Sequence, residues 1–104
     1  MPAPHEVTIE VDSGVIICKA ADGNLQAAQR DTIHWLGKGI KFTLGFETFP
    51  DGKPAWPFNE SEPSWPRPEF MGTLKDVQPP VYYKYSVAVV GCAHSLDPII
   101  IVDK

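Results

Sequence analysis

The sequence predicts an all-β fold, a two-sheet Greek-key β-sandwich with an Ig-like sandwich as the alternative arrangement. Three observations carry this. Apolar residues alternate with polar ones in several short runs rich in Val, Ile, Tyr and Phe, the period of a half-buried strand. Turn signals built from Gly, Pro, Asp and Ser separate those runs. Only residues 21–29 have helical propensity, and Asp22-Gly23-Asn24 interrupts them, which leaves one helical turn or a loop.

In order, Val7, Ile9 and Val11 share one face against Thr8 and Glu10, a strand over 5–11. Asp12-Ser13-Gly14 turns the chain into a second, β-rich run, Val15 to Cys18. Ile33 and Trp35 alternate with Thr32, His34 and Leu36; after Gly37-Lys38-Gly39, Phe42, Leu44 and Phe46 alternate with Thr43 and Gly45. The glycine-containing loop between them predicts a hairpin. A short strand is expected over 72–77. The strongest run is Val81 to Val90, with Tyr83, Tyr85, Val87 and Val89 on one face. Ile99 to Val102 closes the chain as a β-branched strand. That makes about seven strands, a number suited to a sandwich.

Residues 47–71 break the pattern. Six prolines, at 50, 54, 57, 63, 66 and 68, remove ladder donors. The segment is nevertheless rich in rings: Phe49, Trp56, Phe58, Trp65 and Phe70. It reads as a long loop inserted between strands of one domain spanning 1–104. A loop of that length in a small domain is either functional or packed by its own side chains.

Composition narrows the partners. The 104 residues are 43% apolar and 21% charged, ordinary for a globular domain. Net charge is −4 and no basic run occurs. Nucleic acid is therefore set aside, because its binding rests on a cationic stripe, and so is an anionic membrane surface. The longest apolar runs are four residues, far short of a bilayer span. The start, Met1-Pro2-Ala3-Pro4-His5-Glu6, lacks a basic and then apolar leader, so a cytoplasmic location is expected. In that compartment Cys18 and Cys92 are expected to remain unbridged. A bridge would close a long loop, worth about 4 kcal/mol in the chain-entropy model.

Three segments resemble a cupredoxin. Asp31-Thr32-Ile33-His34-Trp35 is similar to that family's D-x-V-x-W strand. Phe42-Thr43-Leu44-Gly45-Phe46 is similar to its H-x-V-x-F segment. Tyr83-Lys84-Tyr85-Ser86-Val87 is similar to its Y-x-F-x-C strand. The resemblance implies a sandwich of that type. Blue-copper members hold the metal with two His, one Cys and an axial Met. Here the first His position falls on Phe42 and the Cys position on Val87. Neither offers a lone pair, so the resemblance implies a relative without the usual copper. Glu62-Pro63 and Asp97-Pro98 are also similar to dipeptides of a small bacterial family called DP-EP, which carries no assigned function.

Candidate chemistry is sparse. Cys92-Ala93-His94 pairs a thiol with an imidazole, donors suited to copper or zinc, and His34 or His5 would have to converge on them. The bland reading is a turn with a solvated imidazole. The same pair as nucleophile and base lacks any nucleophile-elbow sequence, and no phosphate-cradling glycine motif occurs. His34 opposite a core Trp35 reads as a surface residue. The aromatic loop remains. Trp56, Phe58 and Trp65 beside restricted backbones would lose little entropy on binding a partner. Their bland reading is a cap over one end of the sandwich, each buried Trp contributing about 3 kcal/mol.

The expected function is thus a non-catalytic binding or assembly module, without metal or other cofactor. It would engage a protein partner or a second copy through the 47–71 loop or an open edge at Val15 to Cys18 or Ile99 to Val102. The alternatives are a variant copper or zinc protein using Cys92, His94 and His34, and a small hydrolytic or thiol enzyme. Elemental analysis with a visible spectrum after Cu(II) addition separates the first two. No stoichiometric metal and no thiolate charge-transfer band is the expected result; a strong band that disappears in Cys92→Ser would establish the copper alternative.

Overall fold

The computed structural model describes residues 4–19 and 23–103. Met1–Ala3, which include the start of the leader reading, and Ala21 and Asp22 of the proposed helical stretch lie outside the described residues. Eight strands are present: β1 (Pro4–Asp12), β2 (Val15–Lys19), β3 (Leu25–Ala27), β4 (Thr32–Gly37), β5 (Phe42–Thr48), β6 (Glu69–Thr73), β7 (Val81–Val89) and β8 (Ile99–Val102). They form two mixed four-stranded sheets packed face to face, ordered β2-β1-β4-β6 and β3-β8-β7-β5. None of the described residues is in an α-helix, and no helix is long and apolar enough to cross a membrane.

The alternation foreseen from the sequence decides which side chains enter the core. Val7 and Ile9 from β1, Ile33 and Trp35 from β4, Phe42 and Leu44 from β5, and Tyr85 and Val87 from β7 are all essentially inaccessible. β1 and β2 form a two-residue hairpin in which Asp12 pairs with Val15. Ser13 and Gly14 at its tip both have positive φ, 53° and 80°, the signature of a type I′ turn matched to strand twist.

Three expectations are corrected. Residues 32–36 and 42–46 are not a hairpin. β4 lies between β1, with which it is parallel, and β6; β5 belongs to the other sheet, paired with β7. The Gly37–Lys41 turn carries the chain across the core rather than back along one sheet. Gly37 permits this: a Cβ there would stand 2.5 Å from the Ile40 carbonyl oxygen, and its N–H donates to Pro68 O at 2.8 Å. Within 23–29 the chain forms a short strand, β3, not a helical turn, because Leu25 and Ala27 alternate inward along β8. The strand expected at 72–77 begins at Glu69, directly after the last proline of the loop, so that Phe70, Gly72 and Leu74 face inward.

That placement also resolves the edges. Ile99–Val102 is interior, flanked by β3 and β7, whereas Val15–Lys19 is an outer strand. Cys18 and Cys92 are not bridged to each other.

The core is centred on Trp35. Its ring lies 5.4 Å from Tyr85, 5.7 Å from Phe58, 5.8 Å from Phe46 and 6.2 Å from Phe70, centroid to centroid, within the range of favourable aromatic pairs. The Trp35 indole N–H is buried and, among the described residues, makes no well-formed hydrogen bond; the Tyr85 hydroxyl is the polar group beside it. The Tyr85 hydroxyl donates to the Gly23 carbonyl. Burial pushes the Tyr85 pKa up, so this phenol stays protonated and a donor.

Phe58 fits against Gly72 so closely that a Cβ at 72 would stand 2.6 Å from its ring. Gly72→Ala is expected to destabilise the fold by about 1–3 kcal/mol through overpacking. Phe58→Ala is expected to cost about 3–5 kcal/mol through the cavity it leaves. Urea denaturation curves measure both; a Gly72→Ala midpoint equal to that of the unmodified protein would refute the packing argument.

Candidate functional site

The Pro-rich loop is fastened to both sheets at their adjoining edges. On the β5 side, Phe42 and Arg67 exchange backbone hydrogen bonds of 2.8 and 2.9 Å, Ala55 N donates to Phe46 O, and Thr48 N donates to Lys53 O. On the β6 side, Asn59 N donates to Thr73 O at 2.9 Å and Lys75 N to Pro57 O at 3.0 Å. The prolines lack an N–H, so the non-proline residues between them carry the donors.

This geometry decides where the three ring candidates lie. Phe58 is 1% exposed and belongs to the core. Trp56 is half-buried, with its ring 5.5 Å from Phe46 and 5.3 Å from Phe58; its indole N–H donates to Glu60 O at 2.5 Å. Trp65 is half-buried between Phe70 and Phe42, at 5.6 and 6.4 Å, and its N–H donates to Glu62 Oε2 at 3.0 Å. Both indoles therefore lean on the core and stay partly exposed.

The metal candidates are placed apart. His34 is on the outer face of the β1 sheet and bonds Glu69 Oε2 through Nε2 at 2.5 Å. Cys92 and His94 sit in the β7–β8 connection of the other sheet, the thiol half-buried and the imidazole exposed. Among the described residues, no three His, Cys, Asp or Glu side chains are grouped to hold a metal ion. Phe42 and Val87 are fully buried in hydrocarbon.

Sequence reasoning missed a feature of the β5 edge. Gly45 lies in the middle of β5, opposite Ser86 of β7, with its missing side chain on the outer face. A hollow of about 330 Å³ opens there, lined by Gly45, Phe46, Glu47, Lys84, Ser86 and Asp97. A cleft of about 400 Å³ lies on the loop side of the same residue, lined by Gly45, Phe46, Pro54, Ala55, Trp56 and Glu62. Gly45 and Phe46 line both, so the two hollows lie against the same stretch of β5. A Cβ at 45 would meet only Ser86 Oγ, at 3.0 Å. The available signal was a glycine inside an otherwise good strand, which weakens it and often marks close approach by another molecule.

A second unforeseen contact is a pair of hydrogen bonds to a carboxylate. Glu60 accepts from Thr73 N at 2.7 Å through Oε1 and from Thr73 Oγ1 at 2.8 Å through Oε2. The first ring-bearing turn of the loop is thereby tied to β6. His5 Nε2 is 2.8 Å from Asp31 Oδ2, which also accepts from Ala28 N; the pair joins β1 to the start of β4.

Compared with protein-family models, curated proteins and solved structures, the chain has no match.

Partial burial works to raise the Glu60 pKa, but the hydrogen bonds from Thr73 N, Thr73 Oγ1 and its own backbone together outweigh it and hold the carboxyl below its ordinary value of 4.5. A lowered folded-state pKa means stability present above the unfolded value and lost as pH falls through the folded one. Acidification from pH 4.5 downward is therefore expected to loosen the loop from β6. In Glu60→Gln that component of the pH dependence should vanish. Amide hydrogen exchange at Thr73 reads it out; an identical acid profile in the variant would show that Glu60 is no anchor.

Proposed function

We propose that this protein is a non-catalytic binding module, built on a Greek-key, cupredoxin-like sandwich, that engages its ligand in the two hollows beside Gly45, taken together as one notch. The strand orders β2-β1-β4-β6 and β3-β8-β7-β5 support that sandwich type, since neighbours in space are mostly not neighbours in sequence. The complete burial of Phe42 and Val87 supports a role outside the redox chemistry of the family it resembles.

The observation that carries the reading is Gly45 itself. A strand interior gains stability from a β-branched or aromatic residue. At this position such a residue would project outward, where only one hydroxyl stands in its way. The position forgoes that stability and leaves an open notch between Trp56 on one side and Lys84 and Asp97 on the other. Of the three rings first considered, Trp56 lines this notch. Phe58 and Trp65 support the loop from beneath and beside it.

Gly45→Val tests the reading, because it fills the notch without disturbing the core. A random-peptide display library is selected in parallel on the unmodified protein and on the variant. Enrichment on the former that is lost on the latter, with unchanged urea midpoint or a higher one, is the expected outcome. Equal enrichment on both would dismiss the notch as the site.

A further inference from the structure

The charges around the notch define the ligand that suits it. Resting on the binding reading above, we infer that the notch receives an extended, lysine- or arginine-bearing peptide segment.

Three carboxylates and one ammonium line the notch: Glu47, Glu62 and Asp97 against Lys84. Glu47 and Lys84 stand directly opposite each other on β5 and β7, yet they make no ion pair within 4 Å. Asp97 makes none either among the described residues. Elsewhere on the surface such partners do find each other: Lys19 with Glu10 at 3.4 Å and Arg30 with Asp76 at 3.4 Å. Glu62 spends one oxygen on Trp65. The notch thus keeps unneutralised negative charge on both sides of Gly45, and complementary charge steers and orients a partner.

Trp56 adds a second attraction for the same ligand class. Its half-exposed ring lines the loop side of the notch beside Glu62. A cation over an indole face is attracted by the ring quadrupole, by about 0.5–1 kcal/mol at an exposed site. An ammonium or guanidinium placed there meets the ring and a carboxylate together.

The shape favours an extended chain over a compact ion. The notch comprises a hollow of about 330 Å³ on the face and one of about 400 Å³ at the loop, both lined by Gly45. A backbone lying across Gly45 would send alternate side chains into the two openings, since successive residues of an extended chain point to opposite sides. One basic side chain would meet Trp56 and Glu62, and another Glu47 and Asp97.

The probe is the capped peptide Lys-Ser-Lys-Ser-Lys, titrated by tryptophan fluorescence and by amide chemical shifts at low and high salt. The controls are Glu-Ser-Glu-Ser-Glu, its acidic counterpart, and spermidine. The expected result is binding of the basic peptide that falls with salt and shifts the amides of 45–47 and 84–86. It should weaken about tenfold in the Glu47→Gln, Asp97→Asn double variant, tighten in Lys84→Gln, and disappear in Gly45→Val. The opposite responses of the acidic and Lys84 variants are a readout that loss of folding cannot imitate. Acidic-peptide binding that Gly45→Val abolishes would overturn the cationic assignment and leave the binding module standing. Spermidine matching the peptide would overturn the peptide assignment. Basic-peptide binding indifferent to Gly45→Val would overturn the site and the module together. Absence of binding by every probe would overturn the inference.

Discussion

The two sheets of this protein share one adjoining edge pair, and the fastening of that pair organises the molecule. β5 and β6 each have a neighbour on only one side within their sheets. The proline-rich segment occupies the other side of both. Arg67 bonds to Phe42, Ala55 to Phe46, and Asn59 and Glu60 to Thr73. Unpaired edges invite pairing with other chains, so this segment removes a hazard as it closes the sandwich. It also delivers Phe58 to the inner face of Gly72 and into contact with Trp35. A proline-dense stretch is suited to the task. Its backbone has few states to lose on folding, and the donors it lacks are not required of it.

The strands were largely legible in the sequence, and their partners were not. Period-two alternation reports the face of a strand, not the sheet it belongs to. Ile33 and Trp35 point inward from one sheet, Phe42 and Leu44 from the other, and a hairpin would have produced the same pattern. The parallel pairing of β1 with β4 leaves no local trace at all, since it depends on residues nearly thirty positions apart. β3 was obscured for another reason. Three residues are too few to display a period, and Ala27 inside a strand owes its place to its pairing with Val102 of β8. The loop was half legible. Its rings announced that it would not be a plain linker, but only the fold could assign Phe58 to the core and leave Trp56 and Trp65 leaning on it.

The candidate site was hidden by the same limitation. Gly45 reads in sequence as a small polar-face residue of an alternating strand. Its significance depends on Ser86 across the ladder, on Trp56 arriving from the loop, and on Lys84 and Asp97, which are remote in sequence. The same separation explains the failure of the Cys92, His94 and His34 constellation to assemble. Residues that were suggestive by type occupy opposite sheets. A residue that was unremarkable by type lines two hollows. Proteins commonly give up some stability at positions of this kind where a site requires room.

The strand order has one more consequence, for the time course of folding. Apart from the β1–β2 hairpin and the β7–β8 pair, every ladder joins segments that are distant along the chain. Loop-closure entropy must be met before such contacts repay it, and domains wired this way reach the native state in milliseconds to seconds rather than microseconds. The two-residue turn makes the β1–β2 hairpin the shortest loop to close, whereas β4 must be brought to β1 from nearly thirty positions away.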